Sequence, residues 1–374
     1  MTDMGETAQS DEDLQMLRDS VRTLLERAGG LDRARGARGA AEGWNAGVMQ
    51  ELAEAGVLGV SASETAGGLG MGLPAAGVIA EEVGRVVAPE PVVATVGLVV
   101  SLLEQLCPDD ALLSQVISGE KSVALAWQER NSAGLSDTIN CRFDGTGVTG
   151  AKAWVVGFAS ADVLLVLAES DAGKVLLRLD AKATGVNPQP QRQSDGNALH
   201  EITFTGAPAS VLAEGGDVSG AMALAAADAT ALAASELLGV SNTALALTLE
   251  YIRTREQFGK PIGSFQVIQH RAVNMQIAQE IAEAGVREAL GLMGAETSLD
   301  ARERLASRAK ARACTAANLI TREAIRLHGA VGFTDEYDVG LFLNRALVLS
   351  AWLGDAAAHR RRWLDATLSS EAAQ

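Results

Sequence analysis

The sequence predicts an α+β protein of several domains that is mostly helical, with a central antiparallel β region between two helical regions. Two observations support this class. Apolar residues recur at helical spacing in residues 1–118 and 215–374, whereas residues 119–214 contain short apolar or alternating runs separated by turns. At roughly 150 residues per domain, the chain length also suggests two or three domains.

The N-terminal zone, residues 1–118, is predicted to be helical. A helix begins near Asp11, where acidic residues in the first turn complement the helix dipole. Apolar residues between 44 and 55 follow helical spacing up to a glycine that stops the run. Residues 65–72 are too rich in glycine for regular structure and predict a loop, and a further helix is expected from about 73 to 87.

The middle zone, residues 119–214, has the pattern of a small antiparallel sheet or barrel. Its candidate strands are separated by Gly-containing sequences that begin at Asp144 and Asp171 and are typical of hairpin turns. The candidate strands are Lys121–Trp127, Ala161–Ala168 and Lys174–Leu179.

The C-terminal zone, residues 215–374, returns to helical patterns. Alanine-rich runs have high helix propensity, and their small side chains allow helices to pack closely. A second long helix is expected to continue to about Met293, and a third to run from about Ala301 to His328 after helix-start residues at 297–300. The zone is therefore predicted to form a helical bundle.

Composition excludes several function classes. The chain has 31 Lys and Arg against 47 Asp and Glu, a net charge of −16, which leaves no large basic surface for nucleic acid or an anionic membrane. The four histidines and three cysteines lack metal-ligand spacing, so we expect no metal site and reduced thiols. The acidic N-terminus and the interrupted apolar runs predict a cytoplasmic protein without a membrane span.

One string is specific enough to indicate a family. Tyr251–Gln269, with the sequence YIRTREQFGKPIGSFQVIQ, resembles the signature at the junction of two long helices in acyl-CoA dehydrogenases. Four further stretches resemble other parts of that family: a glycine-rich loop, the helix after it, a GxKxW motif and a late helix that ends in a glycine turn. They are Leu58–Gly70, Glu81–Arg85, Gly150–Trp154 and Ile325–Phe333.

The resemblance implies a fold, an activity and partners. The family has an N-terminal helical domain, a central antiparallel β-barrel and a C-terminal four-helix bundle, in the order that the zones predict. Its members use FAD to dehydrogenate an acyl-CoA thioester between the α and β carbons, and electron-transfer flavoprotein accepts the electrons. The FAD site is shared between subunits, so the resemblance also implies an oligomer.

Candidate FAD-binding residues follow from these motifs. A guanidinium group suits a pyrophosphate, so Arg255 is the candidate for the FAD diphosphate, and the resemblance places it against the FAD of a neighbouring subunit. Taken alone, Phe258 and Trp154 would be interpreted as core aromatics and Arg255 as a solvated charge. The full set of candidates implied by the resemblance is Arg255, Phe258, Gln266, Trp154, Gly329 and Gly332.

The sequence departs from the family at the catalytic base. The reaction needs a carboxylate at the substrate α-carbon, and most members place a Glu before a glycine where this chain has Leu353. Some members place the Glu on the first helix of the bundle, at the position of Ala229 here, with Asp228 and Glu236 near it. Asp355 is a further candidate, although it is also a good N-cap for the final helix.

The sequence departs from the family pattern at a second place, and three hypotheses for its function remain. Ala126–Asp137 keeps only part of the family segment whose hydroxyl groups contact flavin and thioester. Together with the base position, it resembles the small subunits of bacterial α2β2 acyl-CoA dehydrogenases of the pimeloyl-CoA and steroid side-chain type. The chain is then a base-lacking subunit of a heterotetramer with a larger homologous subunit, a self-sufficient homo-oligomeric dehydrogenase, or a redox-inactive scaffold. The acyl group of the substrate stays open between steroid side-chain, dicarboxylyl and fatty acyl groups.

Overall fold

A computed structural model describes residues 3–40, 43–132, 138–215, 217–296 and 298–372 of the chain. Part of the segment that departs from the family, residues 133–137, therefore lies outside the described residues, as does the predicted helix-start residue Thr297.

Helices form most of the described chain. In order they are α1 (Asp3–Arg27), α2 (Gly30–Ala37), α3 (Ala46–Glu54), α4 (Gly72–Arg85), α5 (Val92–Ala94), α6 (Ser101–Leu106), α7 (Ala111–Ile117), α8 (Val218–Thr254), α9 (Gln266–Ala295), α10 (Leu299–His328), α11 (Val339–Ala351) and α12 (Ala356–Ala372).

The strands fall between α7 and α8, with one short hairpin after α8. They are β1 (Val123–Ala126), β2 (Arg142–Phe143), β3 (Gly147–Val156), β4 (Val163–Ser170), β5 (Gly173–Asp180), β6 (Val186–Arg192), β7 (Ala198–Pro208), β8 (Ser210–Glu214), β9 (Glu256–Gln257) and β10 (Lys260–Pro261).

The predicted fold class is confirmed: helical segments precede and follow a central sheet. The sheet has the order β6-β7-β3-β2-β4-β5-β8, with β1 also paired to β4. It differs from the expected antiparallel barrel because β1 and β2 run parallel to β4, so the sheet is mixed. Along the described residues its pairings form an open path, since none joins β6 to β8.

The chain divides into two compact units, each assembled from segments that are distant in sequence. One unit comprises Met1–Arg35, Gly77–Ala88 and Ala231–Gln374, and the other comprises Gly36–Ala76 and Pro89–Thr230. Below they are called the helical unit and the sheet unit. The domain boundaries at 118/119 and 214/215 stay a prediction.

Glycines set the spacing between α4 and α8 inside the helical unit. A Cβ atom at Gly239 of α8 would overlap the backbone carbonyl of Glu81 in α4, and one at Gly84 would overlap the carbonyl of Glu236. The two helices therefore approach backbone to backbone, which only residues without a side chain permit. This close approach helps to fix the position of Glu236 on α8.

Two helical segments are long and apolar enough to cross a membrane by length and composition, Val218–Thr254 and Val339–Leu368. The sequence predicted no such span because charges and glycines interrupt the apolar runs, but the many alanines keep the mean hydropathy high over a longer window. Of the most apolar window, 83% is buried inside the protein in the first segment and 39% in the second. The first segment thus has the burial of a core helix, and length and composition alone are weak evidence for a span.

Replacing Gly239 tests the close helix contact. We expect Gly239→Ala to lower the free energy of unfolding by about 1–3 kcal/mol, because its methyl group must push two backbones apart. The matched control is Gly285→Ala in α9, where a Cβ atom meets nothing within 4 Å. There the better helix propensity of alanine should raise stability by about 0.5–1 kcal/mol. Equal stability of Gly239→Ala and wild-type protein in urea unfolding would contradict the contact.

Candidate functional site

The signature string forms the end of α8 and a tight hairpin. The α8 helix ends as the Arg255 N–H donates to Tyr251 O at 2.8 Å, and the Ile262 N–H donates to Arg255 O at 2.8 Å across the base of the hairpin. Strands β9 and β10 pair directly, and the two turn residues Phe258 and Gly259 have φ of +54° and +78°. Positive φ at both positions is the geometry of a type I′ turn, which suits Gly259 but strains Phe258.

The hairpin presents cations and an exposed aromatic ring. Phe258 is 91% exposed, and its only ring contact in the described chain is an edge-on approach to Phe265 at 6.2 Å. The Lys260 ammonium lies 4.4 Å from the centre of the Phe265 ring. Arg255 is exposed, and its guanidinium makes no hydrogen bond or ion pair with other described residues. The hairpin thus offers groups that suit an anionic, aromatic ligand.

The glycine turn after α10 lies beside the end of α8. The Tyr251 hydroxyl donates to the backbone carbonyl of His328 at 3.3 Å, and the two rings stack with centroids 4.2 Å apart. Gly329 follows with φ of +65°, and a Cβ atom there would meet only open space. At Gly332 a Cβ atom would lie 2.9 Å from Ile325 O, so glycine is required by packing within the turn. The structure therefore places the start of the glycine turn beside Tyr251, four residues before Arg255.

The GxKxW motif in β3 has a separate physical reason for each residue. Gly150 has φ of +140°, and a Cβ atom there would lie 2.8 Å from Cys141 Cα. Trp154 stands where the register of β3 against β7 shifts, with φ of +58°, and it is 42% exposed. A bulge of this kind re-aims a side chain, and the indole ring of Trp154 is left partly exposed.

Lys152, at the third position of the motif, forms a buried ion pair that no sequence pattern indicates. Its ammonium donates to Glu129 Oε1 at 2.6 Å and to Trp127 O at 3.4 Å. Glu129 also accepts from the Asn140 side-chain amide at 2.7 Å. Buried charges must be paired and hydrogen-bonded. This ion pair therefore gives Glu129 a structural role within the segment that differs from the family pattern.

Leu353 lies in the short connection between α11 and α12 and is held in a strained conformation. Its φ is +64° and its side chain is 3% exposed. The preceding carbonyl, Trp352 O, accepts from the Lys310 ammonium at 2.7 Å, and Leu353 O accepts from Arg362 Nη1 at 3.3 Å. Burial lowers the pKa of Lys310. Hydrogen bonds therefore hold the carbonyl groups of Trp352 and Leu353, while the Leu353 side chain itself takes no proton.

The three alternative acids are each engaged elsewhere. Asp355 Oδ1 accepts from the backbone N–H of Ala358 at 2.8 Å, which is the geometry of an N-cap for α12. Glu236 Oε1 accepts from Nε and Nη2 of Arg345 at 2.8 and 2.6 Å. Asp228, in the sheet unit, accepts from the Ser101 hydroxyl at 2.9 Å. The structure thus gives each carboxylate a structural role.

Backbone strain marks several candidate site residues. Among the described residues, only Val87, Trp154, Phe258 and Leu353 have a positive φ without being glycine. Such residues are uncommon, and strained backbone of this kind clusters at functional sites. Three of the four are positions that the sequence singled out. Gln266, at the first residue of α9, is exposed and has ordinary helical geometry.

The chain belongs to the acyl-CoA dehydrogenase family. Residues 11–111 match the acyl-CoA dehydrogenase N-terminal domain, and residues 221–368 match the acyl-CoA dehydrogenase C-terminal domain. These matches confirm the family resemblance that the sequence motifs indicated.

Similar proteins include enzymes from mycobacteria. The chain is 30% identical over 331 residues to acyl-CoA dehydrogenase FadE34 of Mycobacterium tuberculosis, which covers 87% of this chain but 42% of that relative. It is 27% identical over 338 residues to acyl-CoA dehydrogenase IpdE2 of the same organism, covering 90% and 91% of the two chains. Among solved structures, a variant of the Tcur3481–Tcur3483 steroid ACAD has a TM-score of 0.86 and 28% identity, covering 97% of this chain and 99% of that chain.

A buried histidine beside the Leu353 connection gives a pH-dependent test. His359 is 1% exposed, and its Nδ1 lies 3.1 Å from Ser307 Oγ. Burial, and then the charges of Lys310 and Arg362, lower its pKa from 6.5 to about 3. As the pH falls below 6.5, the unfolded chain takes up a proton that the folded chain refuses, so the folded state loses stability.

We expect His359→Gln to remove this pH dependence. Between about pH 6 and pH 5, the free energy of unfolding should fall less steeply in the variant than in wild-type protein, by about 1.4 kcal/mol per pH unit. The matched control is His270→Gln, because the His270 side chain is exposed. The control should keep the wild-type slope in urea unfolding. If the free energy of unfolding had the same pH slope in His359→Gln and in wild-type protein, the assignment of a buried, neutral His359 ring would be refuted.

Proposed function

We propose that the chain is a subunit of an FAD-dependent acyl-CoA dehydrogenase that lacks its own catalytic glutamate and completes its FAD site with a homologous partner subunit. One observation carries the proposal. The base position holds a buried leucine, Leu353, while Asp355, Glu236 and Asp228 are each bound to other groups of the chain. The α-proton of the substrate would therefore be taken by a carboxylate of the partner.

The described residues fit FAD. Arg255 is exposed without a partner in the described chain, and a guanidinium fork suits a diphosphate bidentately. Phe258 offers an exposed ring, and the open space at Gly329 leaves room for a ligand beside the turn. FAD is the cofactor of the family, and when bound it would accept the hydride from the substrate β-carbon. We assign Arg255 to the diphosphate, Phe258 and Trp154 to ring contacts, and Gln266 and the turn at Gly329 and Gly332 to the adenosine half.

The partner subunit follows from where these groups lie. A phenylalanine that is 91% exposed on a strained turn leaves apolar area in water, which a second subunit with its cofactor would cover. One similar protein, the Tcur3481–Tcur3483 steroid ACAD, is designated by two names. We extend the proposal to an acyl-CoA substrate, to electron-transfer flavoprotein as the electron acceptor and to a cytoplasmic location, which rest on the family and on the composition.

In this proposal the chain's own residues bind and position, and none of them moves the α-proton. Lys310 and Arg362 hold the carbonyls on either side of Leu353, so the connection keeps one conformation without a carboxylate. Leu353 presents an apolar group, which excludes water where the family places its base. The N-cap bond of Asp355 keeps that carboxylate on the α12 backbone.

Purifying the chain alone and with a partner tests the proposal. The chain expressed alone should contain little flavin. Co-expression with a homologous subunit that has a Glu before the matching glycine should yield a yellow heteromer whose flavin is reduced by an acyl-CoA thioester. The measurements are flavin absorbance per chain, mass of the assembly and anaerobic flavin reduction.

Two outcomes would overturn the proposal. A yellow homo-oligomer that reduces its flavin with an acyl-CoA would favour the self-sufficient dehydrogenase. Flavin that is present in the heteromer but is reduced by no acyl-CoA, with the partner's Glu intact, would favour the redox-inactive scaffold.

Arg255 can be tested against a neighbouring arginine. We expect Arg255→Ala to empty the FAD site of the heteromer while the helical circular-dichroism signal stays unchanged, because a diphosphate loses its main cation. The matched control is Arg253→Ala, since Arg253 is also exposed at the end of α8. The control should keep its flavin. Unchanged flavin occupancy in Arg255→Ala would refute the assignment.

A further inference from the structure

A cavity lies in the helical unit, away from the candidate FAD residues. Its volume is about 530 Å³, and it lies between the end of α9, the first turns of α10 and the middle of α12. A space of this size matches the lower range of small-molecule sites. The lining residues that matter for a ligand are Leu292, Glu296, Arg304, Leu305, Arg308 and Trp363.

Two arginines line one wall of the cavity. Arg304 and Arg308 are four residues apart on α10, so their side chains lie on the same face of the helix. Arg304 makes no hydrogen bond or ion pair to another residue in the described ranges. Arg308 approaches Glu288 at 2.8 Å through Nη2, but its Nε is buried and finds no hydrogen-bond partner among the described residues. Buried donors of this kind normally have an acceptor.

The opposite side of the cavity is apolar and partly exposed to solvent. Trp363 is 40% exposed and Leu292 is 51% exposed, although both line a concave surface where a ligand could cover them. Glu296 also lines the cavity, and its carboxylate accepts from the Ser298 N–H at 2.7 Å, which fixes it in place. Since Glu288 pairs with Arg308 and Glu296 also lines the cavity, the site admits a single negative charge more readily than a phosphate dianion.

We propose that this cavity binds an amphipathic organic monoanion, with a carboxylate at Arg304 and Arg308 and an apolar body against Trp363, Leu292 and Leu305. The guanidinium groups bind the carboxylate by charge-assisted hydrogen bonds, and one of them satisfies Arg308 Nε. The apolar body removes the indole ring and the leucines from water.

This site is distinct from the FAD site and does not depend on the proposed function. Leu305 and Gly329 are separated by 24 residues, most of them along α10. At 1.5 Å per residue the two positions lie about 36 Å apart, so a small ligand reaches only one of them.

Titration of the purified protein with octanoate tests the site, with octan-1-ol as the neutral probe of the same length. We expect saturable binding of octanoate in calorimetry, together with a change in tryptophan fluorescence. Octan-1-ol should bind about tenfold more weakly or worse, because it lacks the charge that the arginines recognise. Trp363→Phe should remove the fluorescence change, which separates this site from the other tryptophans.

Matched variants separate this site from any other that binds fatty acids. The double variant Arg304→Gln with Arg308→Gln should raise the Kd for octanoate at least about tenfold. Arg322→Gln, on an exposed part of the same helix outside the cavity, should leave the Kd unchanged. Equal affinity for octanoate and octan-1-ol, an unchanged Kd in the double variant, or no saturable binding up to about 10 mM would overturn the proposal. The octanoate–octanol comparison in wild-type protein stands even if the double variant fails to fold.

Discussion

The buried ammonium group of Lys310 constrains the connection between α11 and α12, where Leu353 lies. A charge that is fully removed from water must be hydrogen-bonded, and Lys310 meets this requirement by donating to Trp352 O at 2.7 Å. This bond ties the middle of α10 to the connection between α11 and α12. Because Arg362 holds the next carbonyl and His359 packs beside it, Leu353 keeps a left-handed conformation that its side chain does not favour.

At the base position, Leu353, the backbone is strained but the side chain has no acid–base group. Trp154 and Phe258 have a positive φ at positions that we propose contact the cofactor, and strained backbone of this kind clusters at functional sites. Leu353 is strained in the same way, although it has no proton to accept or give. The proposed function accounts for this combination, because a subunit whose base is supplied by a partner needs no carboxylate at Leu353.

The sequence predicted local features better than distant ones. The long helix from about 301 to 328 was predicted because its apolar stripe and helix-start residues are local, and the structure has α10 at Leu299–His328. An N-cap is also a local pattern, so the sequence could indicate Asp355 as the N-cap of α12, and the structure shows that bond. The parallel pairing of β1 with β4, and the Lys310 bond to a carbonyl 42 residues away, depend on contacts that no local pattern encodes. A lysine on the apolar face of α10, beside Ala306 and Ala313, was the one signal that could have identified Lys310.

Exchange of the substrate α-proton with solvent tests most directly whether this chain supplies a base. The assay follows deuterium uptake from heavy water into an acyl-CoA thioester, with the chain alone and with the heteromer. Our account predicts exchange by the heteromer and none by the chain alone, and it predicts that Asp355→Asn leaves exchange by the heteromer unchanged, because asparagine keeps the N-cap bond. Exchange by the chain alone that disappears in Asp355→Asn would contradict the account.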